Sequence, residues 1–263
     1  MSELKAQRYK ESRPAELFAP IHEWSRTHDA GWVYSAVRIV LTPIAVFLYR
    51  TRAIATANVP AEGPFILAPN HFSNMDHFFA AVYMRRKVRF MAKSQLFFRN
   101  PILTYIYRVG GVFPVRRGHR DEETFITAHS ILDRGGCVLI YAEGGRSRSE
   151  GLGTVKPGVG RLALESGVPV VPLAIHGSKG VRSWKRLSFP KVTVQYGEPI
   201  SFERVEHPSR EQQLAAANEI FDRVKAMYGA LDTQGRSSVI RSMKAGAGNA
   251  ADAVAGPPTR TQP

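Results

Sequence analysis

The chain has 263 residues, 44% of them hydrophobic and 22% charged, which is ordinary for a globular protein and enough for one large core. Its formal charge of +14 favours anionic partners, whether phosphate-bearing small molecules, anionic lipid headgroups or nucleic acid, without choosing among them. The single Cys137 excludes an internal disulfide and a cysteine metal cluster, in keeping with a reducing, cytoplasmic compartment.

The opening MSELKAQRYKESRPAELF is polar where a secretory signal is apolar, so no such signal is expected. Residues 31–49, GWVYSAVRIVLTPIAVFLY, are nearly long enough to cross a hydrocarbon layer of ~30 Å. Arg38 and Pro43 interrupt them, and Trp32, Tyr34 and Tyr49 flank them. A helix lying in the membrane interface is the expectation, with a buried core helix as its rival.

Short apolar runs then alternate with helical patterns. PFILA (64–68), VRFMA (88–92), GVFPV (111–115), CVLIY (137–141), VPVVPLAI (168–175) and KVTVQYG (191–197) read as strands. Met75, Phe78, Phe79, Val82 and Tyr83 keep helical spacing, residues 121–133 form a second helix, and KPGVGRLALESG a third. This alternation predicts an α/β fold with a mixed, largely parallel sheet flanked by helices. The expected organisation is an extension with the interface helix over 1–50, one domain over 51–231, and a disordered Ala-, Gly- and Pro-rich tail over 232–263.

Three polar clusters follow separate strands, where ligands collect in α/β sheets. The first is PNHFSNMD (69–76). Ser73 and Asp76 have the spacing of a capping box, which would start a helix at Ser73 and leave His71 in the loop before it. Asp76 is then either a helix-start acid or the partner that fixes the tautomer of His71, a base of pKa ~6.5. The second cluster, RVGGVFPVRR (108–117), brings Arg116 and Arg117 to a strand end, and the third, YAEGGRSRS (141–149), combines glycines with arginines able to fork onto phosphate. A basic loop in a basic protein is the plainer reading of each. No G-x-S-x-G, phosphate-loop or G-x-G-x-x-G motif occurs, which favours direct attack by a substrate hydroxyl over a serine-linked intermediate. Neither H-E-x-x-H nor another spaced ligand set occurs, so metal chemistry is not expected.

Over about residues 50–200 the sequence resembles the glycerolipid acyltransferase family typified by bacterial 1-acyl-sn-glycerol-3-phosphate acyltransferases. NHFSNMD matches its H-x4-D box, GGVFPVRR its second block through Gly110, Phe113, Pro114 and Arg116, AEGGRSRS its E-G-T-R-S block, and VPVVPLAI its fourth, with Pro172. The resemblance implies His71 as general base on the acceptor hydroxyl, Asp76 as its orienting partner, and acyl-CoA or acyl carrier protein thioester as co-substrate, with no further cofactor. It implies a substrate-binding set of Lys93, Arg116, Glu143, Gly144, Gly145, Arg146 and Ser147. Gly145 departs from the pattern, which usually has Thr there. The implied acceptor is 1-acylglycerol 3-phosphate, the alternatives being another lysophospholipid, glycerol 3-phosphate or a glycolipid. The implied setting is peripheral or monotopic, on the cytoplasmic face of the cell membrane against an anionic surface. The rival nucleic-acid reading, suggested by RRGHR and RSRS, needs exposed aromatics or a reader module, and neither is seen.

Overall fold

A computed structural model describes residues 11–119, 121–147, 151–181, 189–243 and 245. In chain order the elements are α1 (Ala19–Thr27), α2 (Trp32–Pro43), β1 (Arg52–Ile54), β2 (Phe65–Pro69), α3 (Asp76–Val82), β3 (Val88–Lys93) and α4 (Pro101–Val109). They continue with β4 (Val112–Val115), α5 (Glu122–Asp133), β5 (Cys137–Leu139), α6 (Gly158–Ser166), β6 (Val170–His176), β7 (Thr193–Tyr196) and α7 (Arg210–Gln234).

The seven strands form one sheet of order β1-β7-β6-β2-β5-β3-β4. β6, β2, β5, β3 and β4 run parallel, β7 is antiparallel to β6, and β1 is parallel to β7. Helices cover both faces, as a parallel sheet requires. On β2, Phe65 and Leu67 face Phe79 and Met84 on one side, while Ile66 and Ala68 face Ile131, Leu162 and Phe221 on the other. All five β2 residues are therefore buried, and the strand reads as an unbroken apolar run rather than an alternating one.

Several expectations shift. β1 has only three residues, too few to carry a period, and finds its place through pairing with β7. The 25-residue α7 is not anticipated, although Ser209 and Gln212 form its capping box and Ala217, Ile220, Phe221, Val224 and Leu231 line its buried face. Position 232 falls within α7, and a further helical stretch over 236–243 docks Val239, 4% exposed, beside Ile54 and Leu231. The expected tail boundary at 232 therefore falls inside helical structure, and residues 246–263 lie outside the described residues.

Residues 11–50 do not stand apart from the domain either. Phe18 and Ile21 pack with Phe97, while Ala45 and Tyr49 enter the main core cluster. The segment 31–49 is two-sided, because α2 and the π-helical turn Ile44–Leu48 bury Val33, Tyr34 and Ala45 but leave Trp32, Ile39, Val40 and Phe47 exposed by 62–78%. Among the described residues no single helix is long and apolar enough to cross a membrane.

Candidate active site

Because β2, β5, β3 and β4 are adjacent and parallel, their carboxyl ends bring 69–76, 141–147, Lys93 and 116–117 to one edge of the sheet. The loop after β2 is pinned first. Asn70 exchanges two hydrogen bonds with the backbone of Ile175, giving from Nδ2 to its carbonyl at 3.1 Å and accepting its N–H at 2.7 Å. The His71 N–H donates to Glu143 Oε1 at 2.8 Å, and the His71 carbonyl accepts from the Ser147 N–H at 2.8 Å.

With its backbone fixed, His71 places Nδ1 2.9 Å from Asp76 Oδ2. A carboxylate only accepts, so Nδ1 carries the proton and Nε2 is left as the basic nitrogen. The same Oδ2 accepts the N–H groups of Phe72 at 2.6 Å and Ser73 at 2.7 Å, which gathers the loop around one oxygen. The capping-box expectation holds in part: Asp76 Oδ2 accepts the Ser73 N–H and Ser73 Oγ accepts the Met75 N–H at 3.2 Å, although the helix begins at Asp76 rather than Ser73. The imidazole stacks on the Tyr141 ring with centroids 3.7 Å apart and planes 14° apart. Oδ1 of Asp76 and the Tyr141 hydroxyl are buried without a partner among the described residues.

Burial lowers the His71 pKa below the usual imidazole range; Asp76 opposes this, and the positive charges of Arg146 and Arg117 add to it. The ring is consequently neutral at neutral pH and able to take a proton.

The remaining implied residues divide in two. Glu143 is 6% exposed and accepts from the His71 N–H through Oε1 and from the Gly153 N–H through Oε2 at 2.6 Å. Burial raises its pKa, and a carboxylate so engaged braces the histidine loop rather than holding phosphate. Gly144 has φ +64°, a left-handed conformation that glycine adopts without strain, and its N–H closes a turn onto Tyr141. Ser147 donates its hydroxyl to the Gly151 carbonyl at 2.8 Å, so it too shapes the loop.

Lys93, Arg146 and Arg117 form the second group. Lys93 is held below the ordinary lysine value, chiefly by desolvation and then by the charges of Arg146, Arg117 and Arg99. None of Lys93, Arg117 and Arg146 has a side-chain hydrogen bond or ion pair among the described residues, and their charges repel one another. Arg116 is not with them. Its N–H donates to Asp121 Oδ2 at 2.6 Å and its Nη2 to the Arg13 carbonyl at 2.8 Å, which draws it toward the N-terminal segment. Adjacent residues leaving a strand point to opposite sides, so Arg117 faces the site and Arg116 does not.

Beside the pair lies an apolar cavity of about 140 Å³, lined by Tyr34, Val37, His77, Phe78, Phe90 and Ile106 among others. It sits under the helix with the exposed apolar face, and its lining residue His77 is the next residue after Asp76. Desolvation lowers the His77 pKa to about 4, so this ring stays neutral. Among the described residues no group of three or more His, Cys, Asp or Glu is placed to hold a metal ion.

Residues 50–176 match the family model described as Acyltransferase. The chain is 27% identical over 188 residues to a protein of Mycoplasma genitalium named probable 1-acyl-sn-glycerol-3-phosphate acyltransferase, covering 66% of this chain and 69% of that one. It is 26% identical over 133 residues to a chloroplastic 1-acyl-sn-glycerol-3-phosphate acyltransferase of Brassica napus, covering 49% of this chain and only 38% of that protein's length. The fold is similar to that of the 1-acyl-sn-glycerophosphate acyltransferase of Thermotoga maritima, with TM-score 0.57, 21% identity, and coverage of 82% of this chain and 89% of that one.

Proposed function

We propose that this chain, which belongs to the acyltransferase family, moves a fatty acyl group from acyl-CoA or acyl carrier protein to the free hydroxyl of 1-acylglycerol 3-phosphate, giving phosphatidic acid. The observation that carries this reading is the His71–Asp76 pair, 2.9 Å apart, set on the same sheet edge as three cations that have no side-chain partner among the described residues.

A glycerol hydroxyl is a weak nucleophile until a base removes its proton, whereas a thioester carbonyl is already reactive and needs chiefly to be positioned. Nε2 of His71 takes the hydroxyl proton as the oxygen attacks the thioester carbonyl. The tetrahedral adduct then collapses, the carbon–sulfur bond breaks, and the imidazolium returns the proton to the leaving thiolate. Asp76 holds the ring and stabilises the transient positive charge through Nδ1. Arg117, Arg146 and Lys93 supply charge for the acceptor's phosphate, and the cavity under α2 receives the start of an acyl chain.

The same reading places the protein peripherally on the membrane, at its cytoplasmic face. Trp32, Ile39, Val40 and Phe47 on α2 and its continuation, with Ile102 and Tyr105 on α4, form an apolar surface on a chain of charge +14, which suits an anionic bilayer.

The test is mass spectrometry of products from purified protein given acyl-CoA or acyl carrier protein thioesters and a panel of acceptors. The panel includes 1-acylglycerol 3-phosphate, another lysophospholipid, glycerol 3-phosphate and a glycolipid. Phosphatidic acid as the main product is expected. Acylation of a phosphate-free acceptor in preference would contradict the assignment of the three cations.

A further inference from the structure

One aromatic ring lies flat against the His71 imidazole. Tyr141 and His71 stack with centroids 3.7 Å apart and planes 14° apart, and neighbouring parallel strands carry them, Tyr141 two residues past the end of β5 and His71 two past the end of β2. The backbone under each ring is tied down. The Ile140 N–H donates to the Leu67 carbonyl at 3.0 Å, the Gly144 N–H to the Tyr141 carbonyl at 2.9 Å, and the His71 N–H to Glu143 Oε1 at 2.8 Å. The sheet therefore sets the stack. Tyr141 is half-buried, its hydroxyl is buried without a partner among the described residues, and burial raises its pKa well above the ordinary phenol value. The hydroxyl stays protonated, and it is the ring face that meets the imidazole.

We propose that Tyr141 is a positioning residue of the reaction: its ring fixes the plane of the His71 imidazole, and the negative face of that ring stabilises the imidazolium formed when Nε2 takes the acceptor proton. The inference rests on the proposed role of His71 as base. An aromatic face attracts a cation within ~6 Å of the ring centre, most strongly where water is excluded. A neutral imidazole gains little from this and an imidazolium much more, so the interaction grows as the proton moves, which is the condition for it to speed the chemical step. The other groups around the ring divide. Asp76 favours the imidazolium, Arg117 and Arg146 oppose it, Glu143 is taken up by two backbone amides, and His77 on α3 stays neutral. Tyr228 on α7 packs on Phe72, and burial raises its pKa as well. A neutral ring thus adds to what Asp76 supplies without a second carboxylate, which would repel the acceptor's phosphate.

The experiment reads the His71 pKa by NMR of ring-labelled histidine, its signal identified by its loss in His71→Ala, and kcat with 1-acylglycerol 3-phosphate and an acyl thioester, beside Tm. Tyr141→Phe keeps the ring and removes an unpartnered hydroxyl, so kcat within about threefold of wild type and a Tm at or above it are expected. Tyr141→Leu removes the ring, and a kcat loss of about 10- to 30-fold is expected with a lower His71 pKa, which moves the acidic limb of kcat to lower pH. A merely structural role predicts the opposite sign, because loosened packing admits water and lets a pKa depressed by burial rise. An unchanged or raised His71 pKa in Tyr141→Leu, or a Tyr141→Phe variant as slow as Tyr141→Leu, would overturn the inference. Should Tyr141→Leu fail to fold, pentafluorophenylalanine incorporated at position 141 decides by the same readouts, since it keeps the shape of the ring and removes its negative face. A lowered His71 pKa in a protein whose His71→Ala variant still turns over would count against the base assignment while leaving the hold of the ring on the imidazolium standing.

Discussion

The two walls of the site differ in how far their polar atoms are already engaged. On the wall after β2 and β5, Asp76 Oδ2 accepts three hydrogen bonds, Glu143 accepts two, and the His71 backbone is tied at both its N–H and its carbonyl. On the facing side, Lys93 at the end of β3 and Arg117 after β4, together with Arg146 further along the β5 loop, have no side-chain partner among the described residues. The contrast separates two tasks. A general base must be oriented before substrate arrives, because misplacement costs rate directly. A phosphate site gains by holding charge unpaired, since the arriving anion then replaces repulsion with attraction.

The largest expected effect comes from breaking the engaged wall at its centre. Asp76→Asn keeps one acceptor oxygen for the amides of Phe72 and Ser73 but cannot stabilise an imidazolium, and it frees the ring to take the wrong tautomer. We expect kcat to fall roughly 10²–10⁴-fold with the fold retained, measured by steady-state assay beside a melting curve. A fully active but less stable variant would reduce Asp76 to a loop cap.

Breaking the unpaired wall gives a different signature. Arg146→Ala is expected to raise the acceptor KM by the equivalent of ~1.5–3 kcal/mol, with little change for a phosphate-free acceptor such as monoacylglycerol. Equal losses with both acceptors would assign Arg146 to the donor or to the fold.

Glu143 sharpens the comparison, since it belongs to the E-G-x-R-S block yet stands on the engaged wall. Glu143→Gln turns one oxygen into an N–H donor and leaves the amide of His71 or Gly153 unpaired, so stability should drop by ~1–3 kcal/mol in chemical denaturation. The acceptor KM should stay near the wild-type value, and a KM increase without a stability loss would return Glu143 to the binding set.

The smallest effect couples the walls. Arg146 and Arg117 lower the His71 pKa through space, so removing Arg146 should let the folded-state pKa rise. The acidic limb of the kcat profile, which marks protonation of the base, should then move to higher pH in Arg146→Ala. No movement, or movement to lower pH, would show that the base does not sense this cation.

The legible parts of the site were those written in local spacing. His71 and Asp76 lie five residues apart on one loop, so proximity needs no tertiary knowledge, and the strands that end at the site are continuous apolar runs. What the spacing could not supply was direction. Whether Arg116 or Arg117 faces the histidine depends on the exit of β4 and on Arg13, 103 residues away, and no periodicity reports that contact. Glu143 entered the binding set only through the resemblance of its block, and the sequence does not show that backbone amides engage its carboxylate. In the fold, β1 escaped because three residues carry no pattern. α7 was missed although its capping residues Ser209 and Gln212 and its apolar face stand in the sequence. The segment 31–49 was ambiguous for a physical reason, having one face in the core and another exposed.

The central claim is that His71 removes the acceptor proton, and the most direct measurement compares turnover of wild type and His71→Ala with 1-acylglycerol 3-phosphate and an acyl thioester, product counted by mass spectrometry. The account predicts a loss of roughly 10²–10⁴-fold in kcat with thioester binding and Tm close to wild type, because the loop is held by backbone contacts that alanine preserves. Turnover within a few-fold of wild type would contradict it.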